Sequence, residues 1–381
     1  MEERKKLKIL FLITALNKGG AERFLVDFCN ELQNYPQIDF IIGTLYDNNE
    51  YQNLTKNFKI INLDYKLFSL FHKTEISKYK EILETYKPDI VHTNLFFAEF
   101  LSSYYVDNKI KYVCHGHDNM FQFKNFNLKI LFNKSLLANF IEKQILIRKK
   151  YKKCKTYFIA NSKHTEKFYK NALPKRFENN VKLIYYGFNF DKFYYEQKRS
   201  IDKSKPLKLL MVGSFQDKKN QIFSVEIAKE LKKRGLNFEI NLIGQGGNFE
   251  LVNEKIKEIN LEKEVVLRGL IHNVEDWYKD CDIYLHTAWY EPFGLVFLEA
   301  MAAGLPIVCL DGKGNRDIVE QGKNGFLFYE QNPKPFADAI ENLYNNTDLY
   351  QQISEYAKQY AKQFNAKDKF KELVDFYYKI I

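Results

Sequence analysis

The stretch that decides the fold runs from Cys281 to Leu310 and reads CDIYLHTAWYEPFGLVFLEAMAAGLPIVCL. Asp282 to Thr287 is a short apolar run with β-formers, the length of a buried strand. Trp289-Tyr290-Glu291-Pro292 interrupts it. Phe293-Gly294 then opens a helix through Ala303, in which Ala300, Ala302 and Ala303 favour helix and leave room for close packing. Gly304 stops the helix and Pro306 forbids its return. Ile307 to Leu310 reads as a second buried strand. A helix joining two short apolar strands is a crossover unit of a parallel sheet.

The chemistry of such a sheet sits where strand turns into helix, because ligands bind at the carboxyl ends of the strands and helix N-termini attract anions. Glu291 lies just before the helix and Glu299 eight positions on, nearly two turns from the helix start. Glu299 is therefore no cap. It stands among Leu298, Ala300 and Met301, on a helix too apolar to be a surface element. A carboxylate in that setting needs a partner, since burying a lone charge is costly. Sugar hydroxyls would serve.

Glu291-Pro-Phe-Gly-Leu-Val-Phe-Leu-Glu299 resembles the E-x7-E signature of the family 4 retaining glycosyltransferases, which have the GT-B fold. The flanking Ala-Met-Ala-Ala-Gly304-Leu-Pro306 and Gly322-Lys-Asn-Gly325-Phe-Leu-Phe segments are similar to that family in the same register. The resemblance implies two Rossmann-like doubly wound α/β domains facing a cleft, with a last helix crossing back to the first domain. It also implies roles. Glu291 would hold the donor sugar's hydroxyls and Glu299 the ribose, with Phe293, Gly294 and Leu295 between them against the donor.

The remaining site residues follow the chain. Leu7 to Ile13 reads as a buried strand, Asn17-Lys18-Gly19-Gly20 as a turn, and Ala21 to about Leu32 as an amphipathic helix. Glycines between strand and helix let a ligand approach the backbone amides. Gly19-Gly20-Ala-Glu22 resembles the family's G-G-A-E segment, near the donor phosphates and acceptor. Strands follow at Phe40–Leu45, near Lys59–Leu63 and before His92, with a helix from about Thr74 to Tyr86. Alternating strands and helices at this spacing indicate a parallel α/β sheet. Lys111 to Asp118 ends a strand on His115-Gly116-His117. His117-Asp118 matches the family's H-D pair better than His115 does, and the family histidine contacts the transferred sugar.

From Phe121 to Lys155 ten lysines or arginines meet one acid, Glu142, interleaved with phenylalanines, leucines and isoleucines. Basic and apolar residues at helical spacing can seat a helix in an anionic membrane surface; an ordinary helix with a basic outer face gives the same pattern. Glu196 to Pro206 is polar without an apolar period and reads as a linker. The domains are expected at 1–195 and 206–360, with 361–381 returning to the first. After the strand Leu207–Val212, the loop Gly213-Ser214-Phe215-Gln216-Asp217-Lys218-Lys219 resembles the family's G-R-x-x-x-x-K, whose two bases grip the donor diphosphate. Lys219 matches, whereas Ser214 stands at the arginine position, with Arg316 or Lys218 as candidate substitutes. By resemblance, the backbone around Gly269 borders the nucleobase.

Composition bounds these readings. The chain has 381 residues, 45% of them hydrophobic, which suits two domains with their own cores. A net charge of +10 suggests an anionic partner. No apolar run is long enough to span a bilayer, and no secretory leader is evident, so a cytoplasmic protein, peripheral on the membrane's inner face, is expected. Cys29, Cys114, Cys154, Cys281 and Cys309 show no paired spacing, so neither disulfide nor metal site is expected. The expected reaction moves a hexose-type sugar, with retention and without a metal cofactor, from a nucleotide-diphosphate donor to a glycan or lipid-linked acceptor. Bacterial surface polysaccharide, capsule or lipopolysaccharide synthesis is the expected context. A nucleotide-sugar epimerase on the same fold, a non-catalytic partner subunit and a nucleic-acid-binding protein are the rival readings. The last lacks any recognised motif.

Overall fold

The computed structural model describes residues 6–65, 76–124 and 132–381. The chain divides into two compact units, one formed by Met1–Tyr185 with Lys369–Ile381, the other by Tyr186–Asp368.

The first unit is built on a parallel sheet of seven strands: β1 (Leu7–Ile13), β2 (Ile38–Thr44), β3 (Ile60–Asn62), β4 (Ile90–Asn94), β5 (Lys111–His115), β6 (Thr156–Ala160) and β7 (Val181–Leu183). Their order across the sheet is β3-β2-β1-β4-β5-β6-β7. The central strands are buried on both faces, as crossover helices demand; β1 is apolar apart from Lys8, whereas β4 turns polar toward its carboxyl end with His92, Thr93 and Asn94. The helix Ala366–Ile380 closes this core. Its Phe370 ring packs on Phe24 and Phe28, and its Tyr377 hydroxyl reaches His92 Nδ1. The expected helix at Thr74–Tyr86 is present as Ser77–Tyr86; Thr74 lies outside the described residues.

The second unit repeats the plan with six parallel strands: β8 (Leu207–Val212), β9 (Phe238–Ile243), β10 (Val265–Gly269), β11 (Ile283–His286), β12 (Ile307–Leu310) and β13 (Gly325–Phe328). Their order, β10-β9-β8-β11-β12-β13, reverses direction between β8 and β11. That is the doubly wound pattern, and its reversal point is where such sheets bind ligands. Leu209, Met211, Ile240, Leu285 and Val308 from the strands meet Phe223, Ile227, Phe336 and Ile340 from the helices in one fully buried core. The segment 196–206, a linker by sequence, falls inside this unit. Arg199 explains why: it is buried, and its guanidinium donates to the carbonyls of Ala303 (2.5 Å), Cys281 (2.6 Å) and Tyr278 (2.7 Å).

The basic stretch Phe121–Lys155 differs from a uniformly outward cationic face. It contains a helix, Lys134–Leu146, that runs into a π-helical turn at Ile147–Tyr151. Two of its lysines point inward. Lys143 donates to the Phe123 carbonyl (2.8 Å), and Lys150 lies fully buried 2.7 Å from the equally buried Glu99 carboxylate. The outer surface carries Phe132, Leu137 and Ile141 together with Lys134, Arg148 and Lys149. Phe126, Lys129, Ile130 and Leu131 of the same stretch lie outside the described residues. Among the described residues, no helix is long and apolar enough to cross a membrane. All five cysteines are buried free thiols.

Candidate functional site

In the second unit, three loops meet at the carboxyl edge around the reversal point. The loop after β8 ends in a short 3₁₀ turn, Asp217–Lys219. Asn220 then adopts a left-handed conformation (φ 52°), which its short polar side chain tolerates, and the helix Gln221–Lys233 begins. The loop after β11 is laced to it. Thr287 Oγ1 lies 2.8 Å from the Asn220 carbonyl and 3.2 Å from that of Lys219. Trp289 donates its backbone N–H to the Lys218 carbonyl (3.1 Å) and its indole N–H to that of Asp217 (2.9 Å). This lacing fixes Lys219 against Glu291, and their charged groups form an ion pair. The third loop, after β12, holds the backbone of Glu291. Glu291 donates to the Gly312 carbonyl (2.7 Å) and accepts from the Gly314 N–H (3.0 Å).

Glu291 is only 6% exposed, which by itself would favour its neutral form. Burial pushes its carboxyl up, but the Lys219 ammonium and the adjacent His286 outweigh that and hold it well below the usual carboxylate range. His286 Nε2 stands 3.3 Å from the same carboxylate oxygen. Burial lowers the imidazole's own pKa, so His286 is a neutral neighbour rather than a second cation. Glu291 is thus a carboxylate kept ionised inside the protein, with one lysine as its counter-charge.

Glu299 follows on the helix Leu295–Ala302, half-buried, where Tyr278 donates its hydroxyl to the carboxylate (2.9 Å). The sequence indicated that Glu299 needs a partner, and Tyr278 is one the sequence did not point to. The helix starts two residues later than the sequence suggested. Gly294 precedes it at φ 93°, outside helical geometry, and a Cβ there would come within 2.4 Å of the Phe297 ring. Leu295 occupies the first turn, where backbone amides have no acceptor inside the helix. Phe293 is 2% exposed, its ring packed on Tyr186 (5.2 Å) and Phe364 (6.3 Å), so its side chain serves the core. Gly269 ends β10 in a left-handed conformation with open space around it, beside the exposed Leu270. Ser214, at the expected arginine position, is exposed.

The first unit carries its own cluster at the carboxyl ends of β1, β4 and β5. Gly19 precedes the helix Gly20–Leu32 in extended conformation. His117 is nearly buried, and its Nε2 lies 2.9 Å from the Asn94 side-chain oxygen at the end of β4. Its ring stacks on His115 (4.2 Å), which stacks on His92 (5.4 Å). Burial depresses all three imidazoles, His117 to about 3, so the stack is neutral. His115 is completely enclosed, with the Phe24 ring against it; His117 sits at the rim, which favours it as the candidate of the pair. Neither His92 nor the stacking was legible from the H-G-H motif.

Two parallel-sheet α/β units, each with polar residues gathered at its strand ends, define the GT-B class. The model described as "Glycosyl transferases group 1" matches residues 194–360, and that described as "Glycosyltransferase Family 4" matches residues 18–192. The chain belongs to the family 4 glycosyltransferases and is a transferase. It is 24% identical over 347 residues to an uncharacterised glycosyltransferase of Methanocaldococcus jannaschii, covering 88% of each chain. It is 26% identical over 163 residues to the poly(glycerol-phosphate) alpha-glucosyltransferase of Bacillus subtilis, covering 42% of this chain but only 24% of that protein. Anabaena HepE, crystallised in complex with UDP-glucose, shares the fold with a TM-score of 0.77 at 20% identity, over 97% of this chain and 99% of that one.

Proposed function

We propose that the protein transfers a hexose-type sugar from a nucleoside-diphosphate donor to a glycan or lipid-linked acceptor, with retention at the anomeric carbon. The observation that carries this reading is the buried, ionised Glu291, paired with Lys219 at the carboxyl edge of the second unit's sheet. Such a carboxylate can accept hydrogen bonds from sugar hydroxyls, and the lysine can meet a diphosphate as a point charge. Glu299 serves the ribose and Gly269 borders the base. Gly294 and Leu295 bring the start of the helix Leu295–Ala302 to the donor, where its dipole favours negative charge. In the first unit, Gly19 and Gly20 at the start of the helix Gly20–Leu32 take the donor-binding role that the resemblance implies, and His117 takes that of the sugar-contacting histidine.

In the reaction the bond between the anomeric carbon and the β-phosphate oxygen breaks, and a bond from the acceptor oxygen to that carbon forms on the same face. The acceptor hydroxyl's proton passes to the leaving phosphate. Lys219 and backbone amides stabilise the negative charge on that phosphate, so the proposal includes turnover without a divalent metal. The similarity to a poly(glycerol-phosphate) glucosyltransferase and to a UDP-glucose-binding fold supports a surface-polymer acceptor and a nucleotide-sugar donor. The proposal extends to the inner membrane face, where Phe132, Leu137 and Ile141 among exposed bases would dock.

The test is thermal stabilisation against UDP-, GDP- and ADP-sugars, followed by turnover with the stabilising donor. Glu291→Gln should abolish turnover while leaving the fold intact; unimpaired turnover would overturn the assignment. An epimerase would instead release free nucleotide with no acceptor product. NMR of the product's anomeric proton reads retention, and activity after EDTA treatment reads metal independence.

A further inference from the structure

The loop after β12 contains a residue whose backbone is difficult to explain by folding alone. Lys313 sits at φ 79° and ψ −61°, a conformation that side chains other than glycine avoid. It is the centre of a three-residue γ-turn closed by the Gly314 N–H on the Gly312 carbonyl (3.1 Å). Glycines flank it on both sides and cannot be replaced: a Cβ at Gly312 would come within 2.7 Å of Glu291 Cβ, and one at Gly314 within 1.9 Å of the Pro292 carbonyl oxygen. The loop therefore needs a glycine at 312 and at 314 to press against Glu291, and between them it holds a lysine in a backbone conformation that suits glycine. Strained positions of this kind persist where the side chain is used.

The side chain has a fold-level partner that does not require it. Asp311 is buried, and Arg316 already grips it with two hydrogen bonds, Nε to Oδ1 at 2.7 Å and Nη2 to Oδ2 at 2.5 Å. The Lys313 ammonium is a third contact, 2.9 Å from Oδ2, on a side chain that is 44% exposed. It can leave without stranding the carboxylate. The loop is joined to Glu291 by a parallel backbone bridge between Glu291 and Lys313. Lys313 is thus anchored one residue-pair away from the carboxylate that pairs with Lys219. Of the other bases near this edge, Arg316 is committed to Asp311 and lies over the Tyr329 ring (5.5 Å), and Lys218 lies over Tyr290 (6.0 Å).

We propose that Lys313 supplies the second positive charge for the donor diphosphate, replacing the arginine that this chain lacks at Ser214. The inference rests on the donor-binding reading above. On arrival of the diphosphate, Lys313 swings from Asp311 to the phosphate oxygens and Arg316 keeps Asp311 neutralised.

Calorimetric titration of the purified protein with UDP, GDP and ADP, and with the monophosphate of whichever binds, tests this. Lys313→Gly should melt no lower than wild type, because a strained position is relieved, yet bind the diphosphate about tenfold more weakly. The loss should be smaller for the monophosphate, and the salt dependence of diphosphate binding should flatten. Adding Ser214→Arg to Lys313→Gly should restore affinity. Unchanged diphosphate affinity in Lys313→Gly overturns the inference, as does a loss seen only in Lys218→Met. If wild type binds no nucleoside diphosphate at all, the donor-binding reading itself falls, a result distinct from the first two.

Discussion

Lys219 and Glu291 lie 72 residues apart in the chain and form one ion pair at the edge of the second sheet. Neither charge is secured by its own loop alone: the pair exists because Thr287 and Trp289 clamp the two loops together. Removing one partner leaves the other in a site built for two. Lys219→Met should therefore destabilise the second unit by about 2 to 3 kcal/mol, less than for a fully sealed pair because the lysine keeps some contact with water. Glu291→Gln keeps the shape and should melt within a few degrees of wild type while losing at least about 100-fold in turnover. Urea titration and initial rates read the two effects.

The histidine stack predicts an acid-sensitive first unit. Each ring has a folded pKa depressed below its ordinary value of 6.5, His117 to about 3. The unfolded chain then binds more protons between those values, so stability is full above pH 6.5 and falls as the pH drops toward 3. Each histidine contributes a slope of up to about 1.4 kcal/mol per pH unit. Glu291 adds a loss of the same sign only below its ordinary 4.5. Urea midpoints measured at pH 7.5 and 5.5 should differ, and His115→Leu should reduce that difference. An unchanged midpoint across this range would contradict the buried neutral stack.

Glu99 and Lys150 make a pair with no solvent exposure, further bonded to Thr93 and Ser102. Lys150→Met should cost about 3 to 5 kcal/mol by leaving the carboxylate uncompensated, whereas the double variant Glu99→Leu with Lys150→Met should recover most of it. Thermal melts of the three proteins decide the matter.

The outward face of the helix Lys134–Leu146 and of the π-helical turn Ile147–Tyr151 that continues it predicts lipid binding. Co-sedimentation with vesicles containing phosphatidylglycerol should exceed that with neutral vesicles, and Arg148→Glu with Lys149→Glu should abolish the excess, each charge near the surface contributing about 1 kcal/mol. Equal pelleting of both proteins would rule out docking through this face.

Much of the fold was readable from composition and period. β1 and β12 occupy the residues the apolar runs marked, because strands buried on both faces are almost wholly apolar, Lys8 being the one polar residue of the two. The helix after Glu291 was placed two residues early, since nothing in the letters Phe-Gly says that Gly294 takes a left-handed turn before the first helical residue. The two glutamates and Lys219 were legible through their resemblance to a family signature. Tyr278 and His286 were not, because they reach Glu299 and Glu291 from other strand ends and helices, and adjacency of that kind appears only after the sheet is assembled. Lys150 was counted as a surface charge for the same reason: its partner Glu99 is 51 residues upstream.

The last thirteen residues described, Lys369–Ile381, belong to the unit that begins the chain. During synthesis the N-terminal half therefore emerges with Phe24, Phe28 and His92 uncovered, and it must wait for the whole intervening unit to be translated before Phe370 and Tyr377 can seal it. A ribosome stalled before residue 369 would leave the second unit, Tyr186–Asp368, with all of its own sheet and the first with an open core, making the amino-terminal half the natural target for chaperones and for nascent-chain quality control.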